Sequence, residues 1–234
     1  MNSIGKKQFL IIYSLITALD LCGVVAHSFV LNLVFKPLIV ASLLIYLFSN
    51  GAHKRAGAVF AIIGLFLSWI GDGLLIFQEH RPMFFIGGLV AFLIAHIFFI
   101  IYYLQTSKGK RQRKFGAGYL FIILILAYGI GLCWVMKDDL GDLKIPVFAY
   151  ATVLTLMNIF ALLRYGKVNP VSFWLVMCGA LLFACSDGLL ALNLFVTPVP
   201  FGGILIMITY AAAQYLIAQS ILTNPANGID NPAV

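Results

Sequence analysis

Ser68-Trp69-Ile70-Gly71-Asp72-Gly73-Leu74-Leu75 places a carboxylate inside a run that otherwise reads as a membrane-spanning helix. The setting recurs at Cys185-Ser186-Asp187-Gly188-Leu189-Leu190. In each copy a glycine, Gly64 or Gly179, stands eight residues before the aspartate, and Gly-Leu-Leu follows it. The two aspartates are 187 − 72 = 115 residues apart, close to half of the 234-residue chain. A carboxylate at mid-bilayer costs about 2.5–3.5 kcal/mol on insertion scales, so two in matched settings need a reason. Such groups mark sites, pathways or polar clamps between helices, and Asp72 and Asp187 are the first candidates for chemistry.

The surrounding chain supplies the hydrocarbon context. With 62% hydrophobic and 10% charged residues and a mean hydropathy of +1.04, it lies far from soluble domains, where about 25% charged residues is usual. Continuous apolar runs, not alternating ones, exclude an outer-membrane barrel and predict an all-α polytopic membrane protein. Eight transmembrane helices are predicted, at about 8–26, 31–49, 55–77, 83–105, 116–135, 145–164, 171–194 and 201–222. Turn signals such as Asn50-Gly51, Arg81-Pro82, Asn169-Pro170 and Pro198-Val199-Pro200 fall between the runs. The polar tail from Asn224 to Val234 reads as disordered, leaving 1–223 as one transmembrane domain. If the Gly-x7-Asp similarity reflects duplication, the halves are about 1–115 and 116–223, two parallel four-helix repeats that bring the aspartates to opposite walls of a central cavity.

Net charge +7 does not require nucleic acid, because the basic residues sit in short loops beside the spans, where they meet anionic headgroups. Eleven of the 15 Lys and Arg fall on the side of the N-terminus and four (Lys36, Arg81, Lys137, Lys144) on the other, which predicts both termini in the cytoplasm. Asp20, Asp72, Asp187 and Lys36 then share the outer half of the bilayer. Compact loops point to a bacterial inner membrane. Cys22, Cys133, Cys178 and Cys185 all lie in apolar runs without metal-type spacing, and His96 is the one histidine inside a span, so no metal or other cofactor is expected.

Further polar groups surround the two acids. Ser68 stands one turn before Asp72 and is placed to bond it. Lys36-Pro37 opens the second span, as a snorkelling headgroup contact or as a cation for the cavity. Asp20 is a third acid near the outer interface. His96 and Tyr150 are read as helix-packing groups or substrate contacts, and Tyr210 and Gln214 share a face one turn apart. No phosphate loop, nucleophile elbow or dinucleotide fingerprint is present.

In order, Lys36-Pro37, Gly71-Asp72, Gly88-x3-Phe92-x3-His96, Tyr150-x6-Met157, Gly179-Ala180-x2-Phe183-x2-Ser186-Asp187 and Tyr210-x3-Gln214 resemble the YhhN family of lysoplasmalogenases over nearly the whole chain. Phe99 departs from the pattern, where a tyrosine is expected. The resemblance implies hydrolysis of the vinyl ether of a lysophospholipid to a fatty aldehyde and a glycerophosphodiester. Membrane lipids would be further partners. Such a bond is cleaved by protonating the alkene carbon remote from oxygen, adding water to the resulting oxocarbenium ion, and collapse of the hemiacetal. Asp72 and Asp187 with separated protonation states would serve as acid and base, with Lys36 biasing which is which. His96, Tyr150, Ser186, Tyr210 and Gln214 would position the lipid. Two other classes fit intramembrane acids as well: a proton-coupled transporter and a lysolipid-binding protein without turnover.

Overall fold

The computed structural model describes residues 5–108, 116 and 118–224. Among them, eight long helices follow one another: α1 (Lys6–Val25), α2 (Phe29–Ser49), α3 (Ala58–Ile76), α4 (Pro82–Ser107), α5 (Gly118–Met136), α6 (Lys144–Leu162), α7 (Pro170–Phe195) and α8 (Gly202–Leu222). Each is long and apolar enough to span a membrane. Large apolar side chains point outward along them, for example Ile11, Ile123, Ile130 and Trp174, all at least 60% exposed. In water such a belt would drive aggregation; in a bilayer it is the lipid contact of an integral membrane protein.

The predicted spans match these helices to within three residues at every end, and the main differences have local causes. The third begins at Ala58 because Ala52–Lys54 form a 3-10 turn and Gly57 takes a left-handed conformation, φ 69°, which glycine adopts without strain. The second begins earlier, because the Ser28 hydroxyl accepts from the Leu31 N–H at 3.4 Å and caps α2 from Phe29. Lys36-Pro37 therefore does not open the helix; it lies two turns inside, where Pro37 leaves the Leu33 carbonyl without its helical N–H partner. Asn224, assigned to a disordered tail, is 5% exposed and bonded to Tyr102, Ser172 and Arg55. The basic stretch 109–115 and the rest of that tail, 225–234, lie outside the described residues.

Helices α3 and α4 pack along their length, as do α7 and α8. The two glycines of the repeated motif make these approaches possible. A methyl group on Gly64 would meet the Phe99 ring of α4 at 2.7 Å, and one on Gly179 would meet Ile217 at 2.9 Å and the Ala213 carbonyl of α8 at 3.2 Å. Small residues let helix backbones come close where lipid offers no hydrophobic drive to association. Because the Ala213 carbonyl is backbone and cannot rotate away, Gly179→Val is expected to lower stability by about 2 kcal/mol, within the usual overpacking cost. Thermal unfolding in a fixed detergent checks this; an unchanged midpoint would show that α7 and α8 are free to separate.

The ends of the bundle are distinct. At one, the Arg55 guanidinium reaches the Asn224 carbonyl beyond α8, and Arg164, after α6, reaches Ser172 of α7. At the other, Phe29 of α2 meets Phe77 and His80 beyond α3, and Phe85 of α4 meets Phe195 of α7. The candidate site opens toward this second end, opposite the start of α1 and the end of α8.

Candidate active site

A cavity of about 100 Å³ lies between α2, α3, α4, α6, α7 and α8. Asp72 and Asp187 both line it. A tyrosine from another helix holds each. The Tyr210 hydroxyl of α8 donates to Asp72 Oδ2 at 2.5 Å, and Gln214 Nε2, one turn along α8, donates to the Tyr210 oxygen at 3.0 Å. The Tyr150 hydroxyl of α6 donates to Asp187 Oδ2. Hydrogen bonds to a carboxylate are stronger than those between neutral groups, so both acids are fixed in orientation.

The surroundings of the two acids differ in charge. Lys36 of α2 lines the cavity together with Asp72 and Asp187. No ion pair within 4.0 Å engages Lys36 among the described residues. On the side of Asp187 the corresponding neighbour is the neutral Tyr150. Apolar groups such as Phe92 complete the wall; Phe92 and, behind the wall, Phe183 pack edge-on against the Tyr210 ring at centroid distances of 6.0 and 5.6 Å.

Six of the ten residues singled out from the sequence line this cavity: Lys36, Asp72, Tyr150, Ser186, Asp187 and Tyr210. The other four stand behind it. Gln214 acts through Tyr210. Ser68 does not bond Asp72; its hydroxyl donates to the Gly64 carbonyl at 3.0 Å, one turn back on its own helix. His96 is fully buried with neither ring nitrogen hydrogen-bonded, its ring edge-on to Tyr150 at 5.3 Å and to Phe183 at 4.7 Å, so it buttresses the tyrosine and does not face the cavity. Asp20 is fully buried, and neither of its oxygens has a hydrogen-bond partner among the described residues. Ser186, although in the wall, spends its proton on the Ile206 carbonyl at 3.0 Å.

Sequence reasoning passes over Gln78, which lines the cavity just beyond α3. Its only signal is a polar residue at the end of an apolar run. Neither Tyr102 nor Tyr103, the tyrosines that could substitute near Phe99, lines the cavity: Tyr102 bonds Ser220 and Asn224 at the far end of the bundle, and the Tyr103 ring faces Arg164 there. Among the described residues, no three His, Cys, Asp or Glu side chains lie together in a way that would hold a metal ion.

The YhhN family model matches residues 31–221, a span that contains both aspartates and every wall residue of the cavity. The chain is similar to human lysoplasmalogenase TMEM86B, 35% identical over 166 residues, covering 71% of this chain and 65% of that protein. It is 32% identical to bovine lysoplasmalogenase TMEM86A over 195 residues, 79% of this chain and 75% of the relative. Mouse lysoplasmalogenase TMEM86B is 34% identical over 161 residues, 69% and 62% of the two chains. The chain thus spans slightly less than two thirds of the TMEM86B proteins it matches. No solved structure matches. Eight apolar helices with paired acids between them, and this extent of similarity, place the chain in the YhhN family.

Proposed function

We propose that the chain hydrolyses the vinyl ether bond of lysoplasmalogens, releasing a fatty aldehyde and glycerophosphoethanolamine or glycerophosphocholine. The observation that carries this reading is one cavity with two aspartates in its wall, each held by a tyrosine, beside a single cation. The names of the similar proteins point to the same reaction.

The asymmetry between the acids suggests their roles. The wall holds one cation, Lys36, on α2, which packs against the helix of Asp72, and on that ground we assign the anionic role to Asp72 and the protonated role to Asp187. Asp187 would protonate the alkene carbon remote from oxygen, generating the oxocarbenium ion. Asp72 would stabilise that cation and then take a proton from the water that adds to it. The hemiacetal then collapses as its hydroxyl gives a proton to Asp187 and the departing glycerol oxygen takes one from Asp72. Water is consumed and both carboxyls return to their starting states, so neither a metal nor a covalent intermediate is needed. Duplicated halves offer an account of the asymmetry. Lys36 stands on the second helix of the first half much as Tyr150 stands on the second helix of the other half, so at this place similar scaffolds present a cation in one half and a phenol in the other, while Tyr210 supplies the phenol that holds Asp72.

At about 100 Å³ the cavity is well below the 300 Å³ or more of a site that encloses a drug-sized ligand. It encloses the ether and glycerol, and the single chain extends among the apolar residues of the wall toward lipid. With the termini in the cytoplasm, as the Lys and Arg distribution favours, the cavity opens to the outer half of the membrane.

Deuterium labelling tests the reaction. Purified protein acting on an alkenyl lysophospholipid in heavy water is expected to release aldehyde carrying one deuterium on the carbon next to the carbonyl. Aldehyde without that label would rule out protonation at carbon. No aldehyde, together with proton-driven uptake into proteoliposomes, would assign the chain to transport.

A further inference from the structure

The polar groups of the cavity wall can be accounted for one by one. Tyr150 and Tyr210 give their protons to the two aspartates, and Ser186 gives its proton to the Ile206 carbonyl. Two polar side chains remain. Among the described residues Lys36 has no hydrogen bond or ion pair, and the Oε1 of Gln78 is buried without a partner. An unsatisfied buried acceptor costs about 1–3 kcal/mol, so a group kept in that state in a cavity wall awaits a donor.

We infer that Lys36 and Gln78 form the headgroup subsite for a zwitterionic phosphodiester, Lys36 facing the phosphate and the Gln78 carbonyl accepting a hydrogen bond from a primary ammonium. This rests on the reading above and extends it to headgroup choice. The ligand must carry an anion for a cation that has no carboxylate locked to it, and an N–H donor for a neutral carbonyl. Phosphoethanolamine has both. Phosphocholine has the anion, but its trimethylammonium donates no hydrogen bond.

Spacing along α3 agrees. Gln78 lies six residues beyond Asp72, about 9 Å at the rise of a helix, toward the end of the bundle where the cavity opens. In the substrate, a three-carbon glycerol and a phosphate separate the ether from the ammonium, a length of the same order. The free hydroxyl at the central glycerol carbon is also a donor, but it sits only a few bonds from the ether and stays near Asp72 when the alkene carbon is at the acids. The lysine stem lets its ammonium rise from α2 toward the opening, where the phosphate lies. Glu79, the next residue, is exposed and does not line the cavity.

The ratio of kcat/KM for ethanolamine over choline lysoplasmalogens of one chain length reads the subsite. Gln78→Leu is expected to lower that ratio by about tenfold, the value of a hydrogen bond to a charged group. Glu79→Gln leaves it where it is. An unmoved ratio in Gln78→Leu, or a ratio moved by Glu79→Gln, overturns the inference. If the leucine variant does not fold, Gln78→Asn, whose carbonyl is one methylene short of the ligand, is expected to shift the ratio in the same direction. Retention of non-cleavable 1-O-alkyl lysophosphoethanolamine and lysophosphocholine, followed by native mass spectrometry, gives the same ratio without turnover. Should no aldehyde form while Gln78→Leu still shifts the binding ratio, the vinyl ether reading fails and the headgroup subsite stands. Aldehyde released at an unaltered ratio means the reverse: the reaction stands and the subsite fails.

Discussion

Turnover of alkenyl lysophospholipid is expected to fall by about a thousandfold or more in Asp72→Asn and again in Asp187→Asn, because in the proposed mechanism each substitution removes one proton-transfer partner, an effect worth about 10²–10⁴. Asparagine keeps the shape of the side chain, so the space around it is preserved. Asp187→Asn cannot deliver a proton to carbon, and the Tyr150 hydroxyl still has a carbonyl oxygen to donate to. Asp72→Asn would remove the anion that offsets the oxocarbenium ion in the proposed mechanism. The double variant should lose little more than either single one, since acid and base act on one reaction coordinate and their effects do not add. Aldehyde release by purified protein is the readout, with thermal unfolding to show that each variant is folded. Near wild-type turnover in both single variants would remove the mechanism.

The features legible in the sequence are those that cost free energy in a bilayer. Eight apolar runs mark the spans, and two carboxylates inside them point to the site, because neither feature needs a neighbour to be noticed. Partners are harder to see. Tyr210 and Asp72 are 138 residues apart and Tyr150 and Asp187 are 37 apart, so only packing decides which tyrosine serves which acid. Ser68 misleads for a local reason: a hydroxyl in a helix has its own carbonyl one turn back within reach, and that bond requires no other helix. Pro37 misleads because the cap that starts α2, Ser28, lies earlier than the hydropathy suggests. Gln78 gives almost no signal, since a glutamine at the end of a span ordinarily faces headgroups.

Arg164 counts in the sequence among the loop cations that set orientation, and its burial leads to the second large expected effect. Its side chain is fully buried at the end of the bundle opposite the cavity mouth, with no carboxylate of the described residues within ion-pair distance. The guanidinium donates to the Ser172 carbonyl at 3.3 Å and hydroxyl at 3.0 Å and lies over the rings of Tyr102 and Tyr103, 5.6 and 5.4 Å from their centroids. Ser172 passes the contact to Asn224, and Asn224 to Tyr102, so this arginine ties the turn before α7 to α4 and to the end of α8. Two effects oppose each other when it is removed. Deleting a buried charge recovers its desolvation cost, including that of the Nε, which has no hydrogen-bond partner among the described residues, while an alanine leaves a large cavity. The cavity is expected to win, because the hydrogen bonds to Ser172 and the two π-faces already offset part of the guanidinium's desolvation. Arg164→Ala is expected to cost about 3 kcal/mol and to lower Tm by about 6–12 °C for a chain of this size. Arg164→Met, which fills the space without charge, should lose about 1 kcal/mol. Thermal unfolding of both variants in one detergent separates the two effects: equal losses would mean that the charge, not the volume, holds this end of the bundle together, and a gain in either would mean that its burial is a net cost to the fold.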